Sequence, residues 1–285
     1  VYLVKQQFSN RFFAVKIFIK QKIQEEDQGY EAFYNEILLM KTCKQKNIIQ
    51  LLEVWESNSS YYFVLPQCQG GSLLDCIQYT KKIEKNFSYK NEKTHQNQII
   101  TQKFIKQSMK QMLEALCHLK KQGIMHRDIK PDNILLQNQN DINICIIDFG
   151  LSTFQNIDKF LYQKCGTPGY VAPEIINMKE KDGKYTTQCD LFSLGCLLYF
   201  LLTKKPLFQG KNTKETVDLN KKCDVNFFQP EIRNQDPLGI IDPNKRITPE
   251  EALNHEYIQG FQDDDFQVPD DPLTKINLTC RDQIL

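Results

Sequence analysis

Hydrophobic spacing changes character once along this chain, at Gly70-Gly71. Before that point, apolar residues come in short runs rich in β-branched and aromatic types, the composition of strands. Tyr2 to Lys5 and Phe12 to Phe18, separated by polar Gln6 to Asn10, predict a β-hairpin. Ile48 to Val54 and Tyr61 to Leu65, split by the turn-forming Ser57 to Ser60, predict two more strands. Phe33, Ile37 and Met40 stand at helical spacing, so Tyr30 to Lys44 is expected to be an amphipathic helix. After the glycines, helical spacing dominates: Leu73 to Tyr79, Gln102 to Lys121, Thr187 to Leu202 and Pro249 to Tyr257. Short strands are expected only at Ile134 to Leu136 and Ile144 to Ile147. The outline is an α+β protein of two lobes: a small antiparallel sheet with one helix (residues 1–65), a linker (66–71) and a larger, mostly helical lobe (72–258). Lys81 to Gln98, rich in Lys, Asn and Gln, predicts an exposed, mobile insertion. An acidic tail follows from residue 259, with Asp263 to Asp265 and Asp270-Asp271.

A chain of 285 residues can bury cores of this size. Its formal net charge of +1 gives no reason to expect a nucleic-acid or membrane partner. The longest apolar stretch, around Leu191 to Leu202, falls short of a membrane span and suits a buried helix. The ten cysteines include no CxxC pair, which predicts a reducing, cytoplasmic setting without a disulfide or zinc framework. No secretory leader pattern is present. The chain opens at Val1, in mid-pattern, which predicts a fragment of a longer protein.

Three motifs carry chemistry. His126-Arg127-Asp128-Ile129-Lys130-Pro131-Asp132-Asn133 precedes the apolar Ile134-Leu135-Leu136; Asp148-Phe149-Gly150 follows the strand Ile144 to Ile147; Gly166-Thr167-Pro168 leads to Ala172-Pro173-Glu174. In this order and context they resemble the catalytic loop, the metal-binding motif and the substrate-side loop of the protein kinase family. The resemblance implies a two-lobed kinase fold, ATP and Mg2+ as cofactors, and Ser/Thr hydroxyls of proteins as acceptors. Phosphoryl transfer asks a protein mainly for positioning and charge stabilisation. By resemblance, Asp128 accepts or orients the proton of the acceptor hydroxyl, and Lys130 neutralises charge on the transferring phosphate. Asn133 and Asp148 would hold Mg2+, which favours hard oxygen ligands.

Upstream, Lys16 in Ala14-Val15-Lys16 resembles the family's phosphate-binding lysine, and Glu36 its ion-pair partner on the helix. Leu65 to Cys68 matches the hinge that meets the adenine edge. There Leu65 takes the gatekeeper position, and Pro66, lacking an N–H, supplies only its carbonyl. Val1, Ala14 and Leu135 would enclose the adenine. Glu174 and Arg246 resemble the buried ion pair that anchors the family's activation segment to the helical lobe, and Asp190 the buried aspartate that braces the catalytic-loop backbone. Lys130 and Gly166-Thr167-Pro168 fit the serine/threonine pattern. Asn47-Ile48-Ile49, Cys68 to Leu73 and Asn220 to Phe227 resemble the calcium/calmodulin-dependent and calcium-dependent group. In that group an autoinhibitory or calcium-sensing segment lies outside the catalytic region.

Four departures qualify these expectations. Val1-Tyr2-Leu3 matches the residues just past the family's glycine-rich phosphate loop, so the chain is expected to begin after that loop. Gln229 to Ile241 is shorter than the family's stretch and carries Pro230 and Pro237, which predicts a missing or shortened helix. Gln163 stands where many relatives carry an activating phosphosite, so another switch is expected. Ser72 replaces a glutamate that reads substrate arginine, leaving Asp132 as one acidic contact for a basic substrate. Two rival readings are a kinase-like binding module without transfer and a small-molecule kinase. The intact Lys16, Asp128, Asn133 and Asp148 disfavour the first, and the Gly166 to Glu174 platform disfavours the second.

Overall fold

A computed structural model describes residues 1–85, 100–139, 141–179, 184–223 and 242–260. Strand β1 (Tyr2–Lys5) pairs antiparallel with β2 (Phe12–Ile19), Leu3 opposite Ala14. β2 in turn pairs with β4 (Ser60–Pro66), and β3 (Glu53–Glu56) closes the far edge, giving the order β1-β2-β4-β3. One face of β2 and β4 carries Phe18, Tyr61 and Phe63. Phe33 packs into this group, 5.3 Å from Phe18 and 4.6 Å from Tyr61 between ring centroids. That aromatic seat fixes helix α2 (Gly29–Thr42) against the sheet. A short α1 (Lys20–Glu25) precedes it, and a Cβ at Gly29 would stand 2.0 Å from the Ile23 carbonyl oxygen, so only glycine fits this approach.

The expected strand Ile48 to Val54 is corrected: β3 begins at Glu53. Residues Asn47 to Ile49 instead cross to the second lobe, where Ile49 N–H donates to Ile146 O at 2.9 Å and Ile146 N–H to Asn47 O at 2.8 Å. Ile48 and Ile49 are buried there, and burial against the other lobe explains an apolar run that periodicity alone reads as a strand.

The second lobe is built on α4 (Gln102–Lys121) and α6 (Gln188–Thr203), which share one core with the sheet lobe. Thr101 caps α4 by accepting from Phe104 N–H at 3.1 Å. Ahead of them, α3 (Leu73–Lys85) runs past Tyr79. Its last turn therefore occupies the start of the expected insertion, whose remaining residues 86–98 lie outside the described residues. Between the long helices lie β5 (Ile124–Met125), β6 (Ile134–Leu136), β7 (Ile144–Ile146) and β8 (Thr153–Phe154), paired as β5-β8 and β6-β7. The one-turn α5 (Pro173–Ile176) follows. Helix α7 (Thr213–Lys222), which periodicity did not predict, is capped by Asn212, which accepts from Glu215 N–H at 3.0 Å.

The expected helix Pro249 to Tyr257 divides into α8 (Pro249–Leu253) and α9 (Glu256–Gln259). Thr248 and Glu251 form a capping box that starts α8, and the His255 side chain caps α9 and so ends the first turn. The shortened stretch 229–241 and the acidic tail from residue 261 lie outside the described residues. Among the described residues, no helix is long and apolar enough to cross a membrane.

Candidate active site

The connection from β5 to β6 forms the lower wall of a cleft between the lobes. Its backbone is fixed from below. Asp190, buried on α6, accepts His126 N–H and Arg127 N–H, each at 2.7 Å. Arg127 adopts φ +67°, a conformation that non-glycine residues hold only where the surroundings enforce it. The turn this makes presents Asp128, which is 8% exposed. Three donors converge on its carboxylate: Thr167 Oγ1 at 2.6 Å on one oxygen, and Asn133 Nδ2 at 2.8 Å and Lys130 Nζ at 2.9 Å on the other. Lys130 also donates to Thr167 Oγ1 at 2.8 Å. Asn133 Nδ2 further donates to Asp128 O at 2.9 Å, so the amide nitrogen is committed and Oδ1 is turned away from these bonds.

The upper wall comes from β2 and α2. Lys16 Nζ lies 2.7 Å from Glu36 Oε1 and 3.0 Å from Asp148 Oδ1. Burial acts to lower the Lys16 pKa, but the two carboxylates outweigh it and hold the ammonium above its ordinary value. Burial would raise Asp148, yet Lys16 beside it keeps this carboxyl below its ordinary value. Glu36, 4% exposed, is pushed up by burial against the pull of Lys16. Asp148 adopts φ +65° while Phe149 is wholly buried, its ring 5.1 Å from that of His126. Asn35 Nδ2 donates to Ser152 O at 2.9 Å and ties α2 to the chain after Gly150.

Between the walls lies a cleft of about 520 Å³. Val1, Ala14, Leu65 and Leu135 give it apolar sides, Pro66 and Cys68 border it at the linker, and Lys16, Glu36, Asn133 and Asp148 supply its polar end. All of these were expected at the site from the sequence and come together there. Asp128 and Lys130 adjoin it through Asn133. Glu174 and Arg246, expected as a support, pair through two oxygens at 2.8 and 3.2 Å.

Sequence reasoning missed the contact of Thr167 with Asp128, although the Gly-Thr-Pro spacing had marked the threonine. It also missed Asn220, wholly buried on α7, which accepts from Gly169 N–H at 3.0 Å and donates to Val171 O at 2.9 Å. Tyr185 and its bonds to the Arg127 region were likewise not anticipated.

A two-lobed fold with a carboxylate loop below and a lysine–glutamate pair above, joined by an Asp-Phe-Gly turn whose aspartate meets the lysine, defines a phosphotransferase of the protein kinase type. Comparison with known families agrees: the protein kinase domain matches residues 1–258, and the chain belongs to that family. It is 33% identical over 276 residues to the serine/threonine-protein kinase cds1 of Schizosaccharomyces pombe, covering 92% of this chain and 56% of that protein. It is 32% identical over 268 residues to a probable serine/threonine-protein kinase, fhkC, of Dictyostelium discoideum, covering 91% of this chain and 42% of that protein. The chain thus spans about half the length of these curated relatives.

Proposed function

We propose that the chain transfers the γ-phosphate of ATP to Ser or Thr hydroxyls of proteins. The observation that carries this reading is the Asp128 carboxylate, bonded by Thr167, Lys130 and Asn133 at the end of a cleft that also holds Lys16 and Asp148.

The apolar walls suit an adenine ring, and the polar end suits a triphosphate. Among the described residues, no three His, Cys, Asp or Glu side chains gather into a metal site. One carboxylate, Asp148, and one amide oxygen, that of Asn133, fit Mg2+, which completes its shell with water and phosphate oxygens. Held by Asp148 and Asn133, Mg2+ would supply positive charge against that of the triphosphate.

In this reading Lys16, held in place by Glu36, contacts the phosphates of ATP. Asp128 orients the acceptor hydroxyl and takes its proton as the new O–P bond forms. The bond from the γ-phosphorus to the β-bridging oxygen breaks, and ADP leaves. Lys130 sits where it meets negative charge on the transferring group. Thr167 links the platform to the base, which supports an aliphatic hydroxyl as acceptor. Asp132, on the cleft rim, supports a basic substrate. The likeness of residues 47–49 and 68–73 to the calcium/calmodulin-dependent group supports control by a segment of a longer parent chain.

The test is transfer from Mg-ATP to a basic Ser/Thr peptide pool by this chain and by Asp128→Asn. Loss of general-base action is expected to lower kcat about a hundredfold to ten-thousandfold. Equal rates in the two proteins would remove Asp128 from the mechanism. Nucleotide binding without transfer by either would favour the binding-module reading.

A further inference from the structure

The guanidinium of Arg127 is buried, with the residue 3% exposed. A cation so placed normally pairs with an anion. Here, among the described residues, all its bonds go to neutral oxygens. Nε donates to Leu151 O at 2.6 Å, and Nη1 donates to Tyr162 O at 2.6 Å and to Tyr185 Oη at 2.8 Å. The hydroxyl of Tyr185 donates onward to Gln163 O at 3.1 Å. Phe160 completes the group, its ring 5.6 Å from the Arg127 carbon and 5.0 Å from the Tyr185 ring. Three backbone carbonyls of the segment after Asp-Phe-Gly are thus gathered on one charged fork, those of Leu151 and Tyr162 directly and that of Gln163 through a phenol.

We infer that Tyr185 is a positioning residue doing here what a phosphate does at a phosphorylated loop. Its hydroxyl couples Arg127 to Gln163 and holds residues 160–165 docked without covalent modification. The contact stands on its own geometry, and its effect on transfer rests on the kinase reading above. Two facts support it. Gln163 cannot be phosphorylated, and Thr153, earlier in the same segment, is wholly buried in β8. Burial also pushes the Tyr185 phenol well above its ordinary value against the pull of Arg127, so the hydroxyl keeps the proton it donates. Chained bonds from a cation through a hydroxyl to a carbonyl polarise one another, which favours the docked form.

The experiment uses phosphatase-treated protein and two readouts, hydrogen–deuterium exchange over residues 157–167 and peptide transfer. Tyr185→Phe keeps the ring against Phe160 and removes only the hydroxyl. It is expected to speed exchange in this segment about tenfold, the size of one charge-assisted hydrogen bond. It should also lower kcat for the peptide about tenfold while KM for ATP stays within about twofold. Arg127→Lys, which keeps the charge but loses the fork, should free the same segment. The treated parent chain should retain its rate. Unchanged exchange in both variants overturns the inference, and so does loss of parent activity on phosphatase treatment. Faster exchange in the variants of a chain that transfers nothing would sustain the latch and defeat the kinase reading instead.

Discussion

The two walls of the cleft are held in different ways. Below, His126, Arg127, Asp128 and Asn133 are each buried and each bonded to backbone or side chains of α6, the loop at Thr167, or one another. Above, the polar end depends on one half-buried lysine between two carboxylates. A network with many bonds per group cannot lose one without strain on the rest, whereas the upper wall's polar end turns on a single cation whose two partners come from separate elements. The lower wall is therefore a fixed template. The upper wall is adjustable, and α2 sets its position.

Substitutions should separate the walls by what they damage. The largest effect falls below: Asp190→Ala leaves two buried N–H groups without an acceptor, at about 1–3 kcal/mol each, so roughly 2–6 kcal/mol of stability is lost. Chemical denaturation reads this directly; a loss under about 1 kcal/mol would mean the lower wall is not built on Asp190. Above, Lys16→Met should cost transfer about a hundredfold, the order found when one electrostatic donor is removed, while the melting temperature moves by only a few degrees. A collapse of stability instead would erase the contrast between the walls.

Gly166→Ala comes third. Gly166 has φ +112°, and a Cβ there would stand 2.8 Å from Arg127 O and 2.9 Å from Val171 Cγ2. About 1–3 kcal/mol of strain is expected, together with a raised KM for peptide. The smallest effect belongs to a pair remote from both walls. Lys120 and Glu250 meet at 2.7 Å and join α4 to α8, and this hydrogen bond lowers the Glu250 pKa from its ordinary 4.5. A carboxyl depressed in the folded state stabilises above its unfolded pKa and ceases to as pH falls through its folded one. Glu250→Gln should thus cost about 0.5 kcal/mol at neutral pH, discounted for exposure, and nothing once the pH is below both values.

The candidate site residues were legible because their pattern is local in sequence: Asp128 to Asn133 and Asp148 to Gly150 are short strings whose resemblance to the kinase motifs suggested their roles. The strands β1, β2, β6 and β7 and the helix α4 were legible for the same reason, from periodicity over a few residues. What escaped was set by distant partners. Tyr185 reaches Arg127 across 58 residues, and Asn220 reaches Gly169 across 51. No short window contains such pairs. Ile48 to Leu52 misled because an apolar run that short does not reveal whether its burial is within a sheet or across a lobe boundary. Helix α7 was hidden by its polarity, although Asn212 followed by Glu215 is a start signal that could have found it.

The crossing at Asn47 to Ile49 has a mechanical consequence. Because these residues are bonded to β7, the C-terminal end of α2 is moored to the lower lobe while its middle carries Glu36. The helix is then a lever with its fulcrum near Cys43, and Glu36 rides about 10 Å along the arm at 1.5 Å per residue. A tilt of about 10° would carry that carboxylate by about 2 Å, enough to part a contact now at 2.7 Å. Small angular displacements at the sheet are thereby geared into the making or breaking of one bond.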